Sequence, residues 1–232
     1  MDGFVSSIQS MGTLDGPGVR FVVFLQGCNL KCGCCHNPET KTLFGGTAYT
    51  AKEIADKCEK YKAYFGNKGG ITLSGGEPLV QSEFAKEIFA ECKKRGINTC
   101  LDTSGSIIND SVLSLLDYTD HVLLDIKYHT DELYKNYVGC SLKKPLEFLS
   151  ALNDKKIPAT IRQVIIPSLN DNGDSMRFLK EMKGKHNCVE KIELLPFKKI
   201  CQTKYDNLGI EFPFKNFDTP SPQDIKILEK ML

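Results

Sequence analysis

The segment GVRFVVFLQGCNLKCGCCHNP, residues 18–38, is the most informative part of this sequence for its fold. Its first part, Arg20–Leu25, is a mainly apolar run of the kind found in parallel strands that are buried on both faces. The run leads into a loop that carries three cysteines at C-x3-C-x2-C spacing, namely Cys28, Cys32 and Cys35. We therefore expect a rigid, buried strand to hold a cysteine loop at its carboxyl end.

The number of cysteines in the motif is informative about the metal that it would bind. A structural zinc or an ordinary 4Fe–4S cluster takes four protein ligands, whereas three ligands leave one iron of a cubane open to another molecule. A zinc knuckle that also uses Cys34 is conceivable. However, the side chains of adjacent Cys34 and Cys35 diverge, and no second CxxC hook follows. We interpret Cys28, Cys32 and Cys35 as ligands of a 4Fe–4S cluster with an open iron.

The composition limits the classes of protein to which the chain can belong. With 232 residues, 41 % of them hydrophobic and 25 % charged, it can bury a full core without disulfide bonds. Lys and Arg are scattered among Asp and Glu to a net charge of +1, which argues against nucleic-acid binding. No apolar run is long enough to span a bilayer, and the first residues lack a signal-peptide pattern. We expect no membrane association and a cytoplasmic location, where the other cysteines stay free thiols.

Apolar runs alternate with amphipathic stretches about six times, which predicts strand–helix units with right-handed crossovers. The predicted strands are Arg20–Leu25, Ile71–Leu73, Thr99–Asp102, Val122–Ile126, Thr160–Ile166 and Lys191–Leu195. The predicted helices are one from Thr50 toward Tyr64, then Ser82–Arg95, Asp110–Leu116, Leu133–Tyr137, Lys144–Asn153, Asp174–Met182 and Ser221–Leu232. This pattern predicts an α/β fold, a partial (β/α)6 barrel in a single domain, 1–232. An N-terminal extension (1–19) would precede the barrel, and a long loop with a final helix (198–232) would follow it.

Polar motifs follow the predicted strands, at the edge where a barrel carries its chemistry. In Ser74-Gly75-Gly76-Glu77-Pro78 the paired glycines allow the backbone to approach a ligand, although a plain strand-to-helix turn would also explain them.

Charged side chains also lie at buried strand ends or within a strand, where an unpaired charge is costly. Asp102 ends the third strand, Asp125 and Lys127 end the fourth, and Arg162 stands alone in the apolar run TIRQVII. These charges could face a ligand, or they could form plain ion pairs at the barrel rim or the sheet edge.

Together with its flanking sequence, the cysteine segment resembles the radical-SAM superfamily signature. The strings TLDGPGVRFVVFLQGC and CHNP resemble the activating enzymes of glycyl radical enzymes, above all those of the pyruvate formate-lyase type. The resemblance implies a six-stranded partial barrel with a 4Fe–4S cluster and S-adenosylmethionine. It implies that reduced flavodoxin or ferredoxin supplies one electron. A 5′-deoxyadenosyl radical then removes a hydrogen from a glycine Cα of the target enzyme, and the activating enzyme itself is expected to be a monomer.

The resemblance also assigns roles to residues of this chain. The catalytic residues would be the cluster ligands Cys28, Cys32 and Cys35. The cofactor-binding residues would be Cys34, Cys35, His36, Gly76, Asp125, Ile126 and Lys127. Arg162 is expected to join them because of its place inside an apolar strand rather than because of the resemblance. Asp102, Thr103 and Asp125 would hold a monovalent cation, Na+ or K+, through hard oxygen atoms. Asp15, in the DGPG turn, would contact the target peptide.

One departure from the family pattern concerns the end of the sixth strand. Close relatives usually have LLPYH there, with the histidine against the adenine, whereas this chain has Phe197 and Lys198 after Pro196. Backbone groups at 194–197 would then hold the adenine. Three other interpretations stay open: an activase of another glycyl radical enzyme, a small-molecule radical-SAM enzyme such as a deazaguanine-forming synthase, and a non-catalytic iron–sulfur or zinc protein. The GEG string usual in the synthase is replaced here by DGPG.

Overall fold

Eight strands form a single sheet in residues 2–232, the part of the chain that the computed structural model describes. In chain order the strands are β1 (Asp2–Gly12), β2 (Arg20–Leu25), β3 (Thr47–Thr50), β4 (Gly70–Gly75), β5 (Asn98–Thr103), β6 (His121–Asp125), β7 (Ala159–Ile165) and β8 (Val189–Pro196). Their order in the sheet is β3-β1-β2-β4-β5-β6-β7-β8. Strands β2 and β4 to β8 are parallel, and β1 pairs antiparallel with both β2 and β3.

Helices connect the parallel strands and cover one face of the sheet. They are α1 (Ala51–Glu59), α2 (Ser82–Lys94), α3 (Asp110–Leu116), α4 (Asp131–Tyr137), α5 (Lys143–Lys155), α6 (Gly173–Lys185), α7 (Gln202–Asn207) and α8 (Pro222–Glu229). Short 3-10 turns occur at Pro38–Thr40, Lys62–Tyr64 and Pro78–Gln81. Among residues 2–232, no helix combines the length and the apolar composition that crossing a membrane requires.

The two faces of the sheet have different neighbours. Ile71, Leu73 and Leu101 point into the main apolar core, together with side chains from the covering helices. The alternate residues Thr72 and Cys100 are also buried, but they point to the opposite face and lie outside that core. Both faces of the central strands are thus covered, which suits the nearly continuous apolar run of β2.

The predicted α/β fold with six parallel strands is confirmed. Each predicted strand is present with its ends shifted by at most two residues. Two predicted helix starts are confirmed as capping boxes, in which the side chains of Thr50 and Ser221 accept bonds from the third helical residue.

Three elements were not predicted. Residues 2–12, expected as part of an extension, form strand β1, and Thr47–Thr50 form β3 beside it. The segment expected as a long loop after residue 198 contains helix α7. The first two lie at the sheet edge with largely exposed polar side chains, so their apolar signal is weak.

A buried arginine closes the amino end of the sheet. The guanidinium of Arg20, which is fully buried, donates to the hydroxyl of Thr72 at 2.9 Å and to the carbonyl of Pro17 at 3.3 Å. Thr72 in turn donates to the carbonyl of Asp15 at 2.7 Å. These bonds hold the DGPG turn against the inner face of the sheet, and Asp15 reaches the cavity described below.

Candidate active site

A cavity of about 300 Å³ opens at the carboxyl ends of the parallel strands, and it is the candidate active site. The residues that the sequence assigned to the site line this cavity, with the exception of Ile126 and of the backbone segment 194–197. The side chain of Ile126 is fully buried, its N–H donates to the carbonyl of Arg162 at 2.9 Å, and its carbonyl accepts from Gln163. Ile126 therefore supports the sheet behind the cavity, and the structure does not bring it to the predicted cofactor site.

The cysteine loop is fixed by backbone hydrogen bonds to the end of helix α4. The N–H groups of Lys31 and Gly33 donate to the carbonyls of Val138 and Tyr137, at 2.8 and 3.0 Å. Gly33 is required there because a Cβ would lie only 2.1 Å from the ring of Phe214. The loop is thus held in place by a neighbouring helix as well as by the strand that precedes it.

The thiols of this loop are free and partly buried. Burial raises the pKa of Cys28 to about 11, and it also raises the pKa of Cys32. Among residues 2–232 no set of three cysteine, histidine or acidic side chains already stands in a metal-holding arrangement. The donor set, three thiols on one loop beside a cavity, fits a cluster with three protein ligands, and binding would release the thiol protons.

The Gly-Gly-Glu-Pro turn packs directly against the start of the cysteine loop. The N–H of Gly76 donates to Leu25 and that of Glu77 to Gly27, both at 2.9 Å. A Cβ on Gly76 would lie 2.1 Å from the carbonyl oxygen of Gly27, and Gly75 has a φ of +114°. The paired glycines therefore allow close contact between two backbone segments as well as access to the cavity.

Glu77 is a site residue for which sequence reasoning assigned no role. Its buried carboxylate accepts bonds from the Thr103 hydroxyl at 2.5 Å, from the N–H and hydroxyl of Ser104 at 2.9 and 2.5 Å, and from the N–H of Leu79 at 3.1 Å. Burial raises the pKa of Glu77, while these donors oppose the shift. The carboxylate joins the ends of β4 and β5, so it controls how the glycine turn sits beside the cavity.

Arg162 is the centre of the charged wall of the cavity. Its side chain pairs with Asp102, and its Nε lies 2.9 Å from Asp125, which also binds the ammonium of Lys127 at 2.6 Å. Although burial opposes ionisation, Arg162 and Lys127 lower the pKa of Asp125 to about 2. Burial raises the pKa of Asp102 to about 6 in spite of Arg162. Burial likewise raises the pKa of Asp15, and Arg162 again opposes the shift.

The oxygen atoms predicted to hold a monovalent cation already have partners in the protein. The Thr103 hydroxyl is bonded to Glu77, and the carboxylates of Asp102 and Asp125 both face Arg162. The rim ion pairs that the sequence left open as an alternative are therefore present. A cation at these oxygens stays a prediction.

The segment after β8 covers the cysteine loop. The ring of His36 is bonded through Nε2 to the carbonyl of Lys198 at 3.0 Å, and the hydroxyl of Tyr205 donates to the carbonyl of Cys35 at 3.2 Å. Lys204 binds Asn37 at 2.8 Å. The unpredicted helix α7 is thus part of the site, although the side chain of Lys198 is itself exposed.

Comparison with known proteins gives consistent results. The family model of the radical SAM superfamily matches residues 22–179. The chain is 40% identical over 231 residues to the pyruvate formate-lyase-activating enzyme of Clostridium pasteurianum, covering 99% of this chain and 97% of the relative. It is 38% identical over 233 residues to the pyruvate formate-lyase 1-activating enzyme of Escherichia coli K12, covering 99% and 95%.

Two solved structures share the fold. Streptococcus suis SuiB bound to S-adenosylmethionine matches with a TM-score of 0.68 and 16% identity, over 88% of this chain and 44% of that chain. A domain of a pyruvate-formate lyase-activating enzyme from Bacteroides vulgatus matches with a TM-score of 0.59 and 20% identity, over 71% and 92%. At these identities the two structures show the fold alone.

Proposed function

Because this chain belongs to the radical SAM superfamily, and within it to the pyruvate formate-lyase-activating enzymes, we propose that it activates a pyruvate formate-lyase. In this reaction the enzyme reductively cleaves S-adenosylmethionine and removes a hydrogen atom from a glycine Cα of its protein substrate. When bound, the 4Fe–4S cluster and S-adenosylmethionine supply the one-electron and radical chemistry. The chain itself has to bind these groups, orient them and admit the glycine.

One observation carries this proposal. The three cysteines of the loop, the glycine turn and the charged wall around Arg162 all line the same cavity. A cluster with an open iron must lie beside the binding site for the methionine moiety of S-adenosylmethionine, which chelates that iron. The cysteines must therefore lie next to the glycine turn and the charged wall. A zinc knuckle would need a fourth ligand and would have no use for a polar cavity of this size.

Different residues of the cavity would bind the cluster and S-adenosylmethionine. Cys28, Cys32 and Cys35 would hold the cluster. The backbone at Gly76 would receive the amino group of the methionine moiety, and Lys127 and Arg162 supply positive charge for its carboxylate. No side chain has to act as a proton acid or base, because the substrate loses a hydrogen atom.

The remaining parts of the proposal concern partners and location. Reduced flavodoxin or ferredoxin would donate the electron, and the enzyme would work as a monomer in the cytoplasm of an organism living without oxygen. The glycyl radical enzyme would present its glycine at the cavity mouth, where Asp15 is available to contact the peptide.

Iron and sulfide analysis of anaerobically purified protein tests the proposal, together with S-adenosylmethionine cleavage under dithionite. We expect about four irons per chain and formation of methionine. Cys35→Ala should lose both iron and cleavage. The matched control Cys34→Ala, which changes the adjacent thiol, should keep both. Retention of the cluster in Cys35→Ala and its loss in Cys34→Ala would refute the ligand assignment.

A further inference from the structure

Tyr128 carries a buried polar group to which the site described above gives no role. The residue is 1% exposed, and its hydroxyl has no hydrogen-bond partner among the described residues. A buried hydroxyl without a partner is costly, and nearly all such groups in folded proteins are satisfied. The partner of Tyr128 is therefore expected to be something that the metal-free chain does not provide.

The surroundings of Tyr128 indicate where that partner lies. Tyr128 belongs to a mainly aromatic cluster, against which Cys28, Cys32 and Cys34 pack. Cys34, Cys32 and Lys127 act electrostatically on its hydroxyl, and of these two cysteines only Cys32 is a proposed cluster ligand. Tyr128 does not line the cavity itself.

The position of Tyr128 relative to the loop is rigid. Its ring packs edge-on against Tyr134, with centroids 6.3 Å apart, and lies 5.7 Å from the ring of Tyr137. The carbonyl of Tyr137 is also the group that accepts the N–H of Gly33, at 3.0 Å. The same helix end therefore fixes both the tyrosine ring and the backbone between Cys32 and Cys34.

We propose that the Tyr128 hydroxyl donates a hydrogen bond to the sulfur of Cys32 when Cys32 is a cluster ligand, and that this bond raises the reduction potential of the cluster. A thiolate on iron carries negative charge and accepts a hydrogen bond far better than a neutral thiol does. Hydrogen bonds to cluster sulfurs stabilise the reduced form, which carries one more electron. The inference rests on the proposed function, since it requires the cluster. Tyr128 is a tuning residue and touches neither cofactor nor substrate in the cavity.

Redox titration of the anaerobic holoenzyme, followed by electron paramagnetic resonance of the reduced cluster, tests the inference. Tyr128→Phe removes only the hydroxyl, and we expect full iron content with a lower midpoint potential. The reduced-to-oxidised ratio at a fixed potential should fall about tenfold, which is 59 mV for a one-electron couple. Tyr137→Phe, in the same aromatic cluster, is the matched control and should leave the midpoint unchanged.

Two further variants make the test independent of how well Tyr128→Phe folds. Site-specific replacement of Tyr128 by 3-fluorotyrosine makes the phenol a stronger donor, so the midpoint potential should rise. In a Cys34→Ala background the effect of Tyr128→Phe should persist, because the acceptor is assigned to Cys32.

Each contrary result is decisive. A midpoint in Tyr128→Phe equal to wild type, with four irons present, would overturn the inference and assign the hydroxyl to a buried water. Loss of the Tyr128→Phe shift in the Cys34→Ala background would overturn the assignment to Cys32. Wild-type protein that binds no cluster would overturn the proposed function, and this inference with it.

Discussion

At the level of single residues, the carboxylate of Glu77 accepts four hydrogen bonds, three of which link the turn after β4 to the end of β5. The glycines beside it were visible in the sequence as a place where backbone approaches closely, but the role of the glutamate was not. The signal that would have revealed it is an acidic side chain inside a turn between a buried strand and a buried helix. Such a group must find several donors to stay there. Its donors Thr103 and Ser104 come from another strand end, so the pairing depends on the tertiary fold.

Glu77→Gln should weaken both the fold and the cofactor site. An amide has only one acceptor oxygen, and its NH₂ would face the donors at Ser104. We expect a loss of about 1–3 kcal/mol in the free energy of unfolding of the metal-free protein, measured in urea. The affinity for S-adenosylmethionine of the holoenzyme should fall as well.

The control is Glu83→Gln on the outer surface of α2, where the surface ion pair with Lys86 contributes little to stability. Equal stability of the Glu77→Gln and Glu83→Gln variants would contradict the role given to Glu77.

Lys198 stands where the family resemblance predicts a histidine, and the carbonyl of Lys198 is bonded to the ring of His36. Replacement by alanine keeps that carbonyl. Lys198→Ala should therefore change the affinity for S-adenosylmethionine by less than about tenfold, or 1.4 kcal/mol, in equilibrium binding to the holoenzyme.

Lys191→Ala, an exposed lysine near the other end of β8, sets the baseline for this measurement. A hundredfold loss in Lys198→Ala with the cluster intact would make the lysine a principal cofactor ligand.

Among the elements, the parallel strands were predictable because short apolar runs alternate with amphipathic helical stretches, and the runs in β2, β6 and β7 are mainly apolar. The strands at the sheet edge, β1 and β3, were not predictable. Strand β1 has alternating burial with polar Ser and Gln on its exposed side, so only a few residues carry an apolar signal. Helix α7 has six residues and no side-chain cap, which is too short for a helical period to show. Contacts to the cysteine loop hold it in place, and those contacts are tertiary.

Removing the anchor of α7 should expose the cluster to solvent and oxygen. Tyr205 is 1% exposed and packs 4.8 Å from the ring of Phe212, while its hydroxyl donates to Cys35. Tyr205→Ala should cost about 3–5 kcal/mol of stability, as large-to-small changes in cores do. The visible absorbance of the cluster should then decay faster in air than in the wild type.

Leu208→Ala is the matched control, because Leu208 follows the same helix and is 47% exposed. An unchanged rate of cluster decay in Tyr205→Ala would show that α7 does not protect the cluster.

In the whole molecule, the two ends of the sheet differ. Hydrogen bonds of a buried arginine fill the amino end, whereas the carboxyl end carries the cavity. Arg20 closes the amino end with bonds to backbone and side-chain oxygens, while Arg162 organises the carboxylates at the carboxyl end. The positions of the strand-end motifs predicted where the cavity would lie. The pairing of Arg162 with both Asp102 and Asp125 could not be predicted, since the register between β5, β6 and β7 sets it.

We propose above that this cavity serves a radical reaction on a glycine of a pyruvate formate-lyase. Electron paramagnetic resonance can test this on a pyruvate formate-lyase from the same organism, incubated anaerobically with this enzyme, S-adenosylmethionine and a reductant. We expect a glycyl radical signal that requires all components and is absent when the target glycine is replaced by alanine or this enzyme carries Cys35→Ala. A fully loaded enzyme that cleaves S-adenosylmethionine but produces no glycyl radical in this partner would contradict this proposal.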